Sequence, residues 1–138
     1  MASDNRTIGW LNRALQHELT AVQQYLAQSA LSRLMGDEVS ALRWRETALH
    51  ELSHAERLMH RLLQLGAAPS AGNLAPARLG RGPQDFDAID APLERAAIRL
   101  YQDAAEHAGR VRDAQTESLL RGLLQDEIRH LARQASTP

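Results

Sequence analysis

Four glutamates and two histidines recur in this chain at fixed intervals. Glu18 lies 33 residues before Glu51, and His54 follows Glu51 by three; Glu94 lies 33 residues before Glu127, and His130 again follows by three. The second set is the first displaced by 76 residues, and Tyr25 maps onto Tyr101 by the same shift. Residues three apart share a helix face, so each Glu-x-x-His aims a carboxylate oxygen and an imidazole nitrogen at one point. A lone Glu-x-x-His is ordinarily a solvated ion pair. The return of the whole set in register, with Glu18 and Glu51 set into apolar helix faces, argues instead for groups that converge inside a bundle. Four buried carboxylates need counter-charge, because an unpaired buried anion is strongly unfavourable. Two divalent cations supply it. Oxygen and nitrogen donors without sulfur suit iron, or manganese, better than structural zinc. The predicted metal-binding set is therefore Glu18, Glu51, His54, Glu94, Glu127 and His130, holding two ions of iron or manganese per chain. Tyr25 and Tyr101 read as packing residues with one hydrogen bond each.

The elements that must position these groups can be read from the apolar period. Ile8, Leu11, Leu15, Glu18, Val22, Tyr25 and Ser29 recur at steps of three and four, which predicts a first helix ending near Met35-Gly36-Asp37. Trp44, Thr47, Glu51, His54, Leu58, Leu62 and Leu65 continue the pattern in a second helix that stops at Gly66. Glu18 and Glu51 are equidistant from the first turn, so antiparallel pairing puts them at one level. The same holds for Glu94 and Glu127 about a turn at Gly109 to Asp113. From Gly66 to Gln84 the chain is rich in Gly, Ala and Pro and has no helical period. A helix from Glu38 to Leu65 is ~40 Å long, and an extended segment of this length can run back along it. A third helix is expected over 85–112 and a fourth over 113–134. Pro92 predicts a kink or a broken first turn within 87–92, with Asp90 as cap. The fold class is all-α: one domain over 1–138, two antiparallel helical hairpins joined by a long crossover.

Composition removes many alternatives. The 138 residues hold no cysteine, so disulfides, thiolate metal sites and cysteine nucleophiles are excluded. All sixteen basic residues are arginine, which removes Schiff-base lysines and the phosphate-loop lysine. Against seventeen acidic residues they leave almost no net charge, and thus no general field for nucleic acid. No apolar run reaches the ~20 residues of a membrane span, and the polar start Met1-Ala2-Ser3-Asp4-Asn5-Arg6 does not resemble a leader. A soluble cytoplasmic protein without membrane or nucleic-acid partners is expected.

Along its whole length the sequence resembles the bacterioferritins. The residues that carry the likeness are Trp10-Leu11-Asn12, Glu18-Leu19, Gln24-Tyr25-Leu26, Glu51-Leu52-Ser53-His54-Ala55-Glu56-Arg57 and Asp126-Glu127-Ile128-Arg129-His130. The resemblance implies a ferritin-like bundle with a two-iron site. Glu18, Glu51 and His54 would serve one iron and Glu94, Glu127 and His130 the other, with Glu51 and Glu127 bridging. It also implies oxidation of ferrous iron by dioxygen or hydrogen peroxide, and storage of the ferric product in a shell of subunits. There are three departures. The family's haem-ligating methionine falls where this chain has Leu52, so haem is not expected. An aspartate commonly precedes each Glu-x-x-His and steers a histidine; Asp126 keeps that part, but His50 takes the other place and could tune the site or hold iron in transit. The family's fifth helix falls beyond Pro138, so a homo-oligomer of two-fold dimers, as a twelve-subunit cage rather than twenty-four, is expected. Two further readings stay open: a rubrerythrin-like di-iron peroxidase and a DNA-protecting mini-ferritin.

Overall fold

A computed structural model describes residues 4–136, with side chains as far as residue 134. Four long helices carry the chain: α1 over Asn5–Leu34, α2 over Glu38–Gln64, α3 over Phe86–Arg110 and α4 over Ala114–Ser136. Each of the first two begins on an aspartate. Asp4 accepts from the Arg6 amide and Asp37 from the Ser40 amide, which satisfies N–H groups that a first turn leaves open. The hairpin turns share one geometry. Gly36 has φ of 82° and the Asp37 amide reaches back to the Ser32 carbonyl. At the second turn Arg112 takes the left-handed place, with φ of 60°, while the Asp113 amide bonds to the Ala108 carbonyl. The glycine near this turn, Gly109, lies inside α3 instead.

α1 pairs with α2 and α3 with α4, and α1 also packs on α3. The expected crossover follows α2 and brings the chain back along the bundle. It lies against α1, whose side chains supply the bonds its irregular backbone lacks. Asn12 accepts from the Ser70 amide, Gln16 donates to the Asn73 carbonyl, Gln23 donates to the Ala75 carbonyl, and Gln24 pairs with both backbone groups of Arg78.

At the start of α3 the expected broken first turn with Asp90 as cap is not found. A single 3-10 turn, Pro83–Asp85, leads directly into α3, which runs through Pro92 without interruption. Proline withholds its hydrogen bond only from the carbonyl one turn earlier, at Ala88, and Ala88 is exposed to water. Asp90 does not cap the helix. It is fully buried and its Oδ2 accepts from Gln28.

The apolar interior falls into two clusters. One is built on Leu11, Leu15, Leu58, Leu62, Leu120 and Leu123, and the other on Ala21, Tyr25, Trp44, Ala48 and Phe86. Polar side chains occupy the space between them. Among the described residues no helix is long and apolar enough to cross a membrane.

Candidate metal centre

The six residues singled out by spacing meet at that polar waist. Glu18 comes from α1, Glu51 and His54 from α2, Glu94 from α3, and Glu127 and His130 from α4. None is more than 8% exposed. Their donor atoms form two groups of four: Glu18, Glu51, His54 and Glu127 in one, and Glu51, Glu94, Glu127 and His130 in the other. The atoms of each group lie within 4.8 Å of one another. The groups share Glu51 and Glu127. His54 Nδ1 is 3.0 Å from Glu127 Oε1, 3.7 Å from Glu18 Oε1 and 3.8 Å from Glu51 Oε2. His130 Nδ1 is 3.3 Å from both Glu51 Oε1 and Glu94 Oε1.

The sequence builds this arrangement through a cross-brace between hairpins. The Tyr25 hydroxyl donates to Glu94, and the Tyr101 hydroxyl donates to Glu18. Each tyrosine thus holds the carboxylate of the opposite hairpin. The one hydrogen bond expected of each ring is therefore made to a member of the cluster. Burial, together with nearby carboxylates, keeps both phenols well above their ordinary range and so protonated.

Without counter-charge the cluster is electrostatically unfavourable. Burial pushes Glu18 and Glu51 up to about 8, and neighbouring carboxylates add to the shift. Burial likewise takes Glu94 to about 7, helped by Glu127. His130 moves against the direction of its own burial, up to about 10, because Glu51 and Glu94 stabilise its cation. His54 is raised for the same kind of reason, burial being outweighed by Glu127, Glu51 and Asp126. Even so, the internal bonding is incomplete. Glu18 Oε2, Glu51 Oε1, Glu94 Oε2, Glu127 Oε2 and His130 Nδ1 are buried without a well-formed hydrogen bond. Buried polar atoms are almost always paired, so orphans gathered on one cluster mark donors that fit a cation. Two cations side by side, each with one imidazole and sharing two carboxylates, would use all five.

Around the cluster, Asp126 has its Oδ2 3.2 Å from the outer nitrogen of His54. His50 does not supply a matching anchor to His130. Its ring packs edge-on against His54, centroids 4.9 Å apart, while the outer nitrogen of His130 meets the Gln134 amide at 3.5 Å.

A ferritin-like domain model matches residues 8–136. The chain is 33% identical over 131 residues to a bacterioferritin of Rhodobacter capsulatus, covering 95% of this chain and 81% of that protein. A bacterioferritin of Brucella melitensis is 29% identical over the same shares. The chain belongs to the bacterioferritin family. A crystal structure of the Rhodobacter capsulatus bacterioferritin, described as having a metal-free dinuclear site and haem iron in a crystallographic special position, superimposes with a TM-score of 0.93 at 32% identity. It covers 99% of this chain and 85% of that one.

Two residues of this bacterioferritin-family bundle escaped the sequence reading. Asp90 lies one helical turn before Glu94 on the same face. Burial raises its carboxyl to about 7, with Glu94 adding to the shift. The i−4 spacing from Glu94 was the available signal, but a cap was the simpler reading beside Pro92. His107 is buried and lies 2.8 Å from Asp4 and 3.1 Å from Thr7, tying the start of α1 to the end of α3. No motif surrounds it, and only the long-range fold brings Asp4 to it.

Proposed function

We propose that this protein is a bacterioferritin-type ferroxidase: it takes up ferrous iron, oxidises it at an intra-subunit di-iron centre, and serves iron storage or detoxification. The observation that carries the reading is the pair of four-donor groups sharing Glu51 and Glu127, with orphaned oxygens throughout. Two ferrous ions held there would supply two electrons together to dioxygen or peroxide.

The chain's own residues have separable parts in this reading. Glu18 and His54 hold one position and Glu94 and His130 the other, while Glu51 and Glu127 span both. Carboxylates can move between terminal and bridging binding, which suits two oxidation states in one frame. The protons kept on Glu18, Glu51 and Glu94 near neutral pH leave as cations arrive, so uptake is coupled to proton release. Tyr25 and Tyr101, held protonated, fix Glu94 and Glu18 rather than compete for metal. Asp126 orients His54 through its outer nitrogen. Storage needs a closed shell, and we assign the protein to a homo-oligomer of two-fold dimers in the cytoplasm.

Anaerobic addition of ferrous iron followed by air tests the centre directly. Ferric absorbance plotted against the iron-to-chain ratio is expected to break at two irons per chain. A straight line through that ratio would contradict the two-iron centre. Repeating the run with peroxide in place of air distinguishes a preferred oxidant, and a rubrerythrin-like peroxidase would respond to peroxide alone.

A further inference from the structure

Outside the six clustered residues, α2 and α4 also meet through an arginine. Arg61 is buried, and its guanidinium is held in place by four hydrogen bonds. Nε donates to Thr116, Nη2 to Asp113, and Nη1 to the side-chain oxygens of both Gln64 and Gln115. An amide whose oxygen is fixed on Arg61 turns its NH2 group the other way, so both glutamines present donors away from it. Both line an open cleft of about 610 Å³ between α2 and α4, which also takes in Arg57 and Arg61 and none of the six clustered residues.

Arg57 stands one helical turn before Arg61, on the same face of α2. Its guanidinium lies over α4 at the point where Gly122 has no side chain, and a β-carbon there would be 3.6 Å from Nη2. Its acidic neighbour Asp126 is 3.7 Å away, beyond a direct hydrogen bond, and that carboxylate is engaged elsewhere, Oδ1 by Arg129 and Oδ2 by His54. The charge of Arg61 is offset by Asp113, so the attraction for an anion comes chiefly from Arg57. Glu56, exposed on the same walls, opposes it.

We propose that this cleft binds a phosphate group, free or carried on a small ester. An arginine fork matches the spacing of two oxygens on phosphorus, and phosphate has acceptor oxygens enough to take bonds from Arg57 and both amides together. A cation finds little there, because the oxygens of Gln64 and Gln115 are already held by Arg61. A single carboxylate, with two oxygens, leaves donors unmet. The cleft is larger than one phosphate, and Leu119 on its wall gives an ester substituent an apolar surface. This site rests on the α2–α4 groove alone and is independent of the two-metal centre.

Calorimetric titration of the metal-free full chain with inorganic phosphate, at an ionic strength held constant with chloride, tests it. Wild type is expected to bind one phosphate per chain saturably. Arg57→Ala should weaken binding about 10-fold or more. Gln115→Glu should do the same, because its carboxylate still accepts from Arg61 but sets an oxygen where the amide donated. Glu56→Gln should tighten binding about 2–5-fold. Arg45→Gln removes the same charge from α2 about 18 Å further along the helix and should leave affinity unchanged. No saturable binding in wild type overturns the site, and so do equal losses in Arg57→Ala and Arg45→Gln, which would mean only a general field. Unchanged affinity in Gln115→Glu, with native far-ultraviolet dichroism, overturns the geometry of the two amides. Adenosine monophosphate separates the two sources: tighter binding than inorganic phosphate assigns the ester, and equal or weaker binding assigns the free ion. Adenosine binding as tightly as its monophosphate, or citrate more tightly than phosphate, overturns the assignment to phosphate.

Discussion

Replacing Glu51 by glutamine should make the metal-free protein more stable and the metal-loaded protein less so. Glu51 is 1% exposed, and burial with Glu18 and Glu94 nearby raises its carboxyl to about 8. At pH 7 an unfolded chain would release this proton, while the bundle keeps it. Two and a half pH units at about 1.4 kcal/mol each give a penalty of about 3 kcal/mol at neutral pH. Glu18 can share the retained proton and makes the same kind of demand, so the relief on substitution is roughly 1–3 kcal/mol. For a chain of this length that is a rise in Tm of about 4–10 °C. The sign is pH-dependent. Below the ordinary glutamate range both states hold the proton and the penalty is absent; it grows as pH rises toward 8. Thermal unfolding of chelator-treated protein, followed by far-ultraviolet dichroism at about pH 4 and about pH 7, measures it. Manganese(II) or anaerobic ferrous iron should then stabilise the wild type more than the variant. A Glu51→Gln protein that is less stable than wild type at neutral pH, or shifted equally at both values, would refute the reasoning.

Other consequences can be checked with the same tools. Glu18→Ala, Glu51→Ala and Glu127→Ala should each abolish fast ferrous oxidation while leaving the helical spectrum intact; unchanged kinetics in any of them would remove that carboxylate from the centre. Metal-free wild type should lose stability between about pH 5 and about pH 8, because the raised carboxyls and His130 all keep protons in the bundle that the unfolded chain releases, and saturating metal should reverse this slope. Arg112→Gly should stabilise the second hairpin turn by about 0.5–1 kcal/mol, since Arg112 has φ of 60° and is exposed. Wild type should take up no haem through residue 52, because leucine has no donor atom and Met59 is packed against the core. Added haem should give no Soret titration, whereas Leu52→Met should gain one.

The sequence was most informative where chemistry and helical period coincide. Glu18, Glu51, His54, Glu94, Glu127 and His130 could be assigned to one level because equal distances from two turns fix height in an antiparallel pair. The crossover was legible from its composition, but the way it is held was not. Asn12, Gln16, Gln23 and Gln24 look like ordinary polar-face residues until the segment lies across them. The start of α3 departs from expectation because proline forbids one hydrogen bond, not a helix, and solvent at Ala88 absorbs that loss. Gly109 suggests the second turn, yet a glycine inside α3 lets Glu117 approach, with its Oε2 3.1 Å from where a β-carbon would stand. The repeat puts His50 beside His130, and in the fold it stands beside His54. Spacing along one helix fixes a face, whereas the choice between two neighbours on facing helices is made by rotation about the helix axis.

The division of the interior into two apolar clusters has a consequence for how the empty protein behaves over time. Helices of this kind usually fray from their ends, and their middles are the last segments to exchange amide protons. Here the middles of all four helices flank the least compatible part of the interior, where buried carboxyl groups face one another between the two apolar clusters. Brief openings should therefore begin at the waist, and amides near Glu51 and Glu127 should exchange sooner than those near Leu62 and Leu120. Bound cations close that breach and join the two halves into one cooperative unit. Iron supply would then set not only how much cargo the molecule carries but how long an unfilled copy survives a protease.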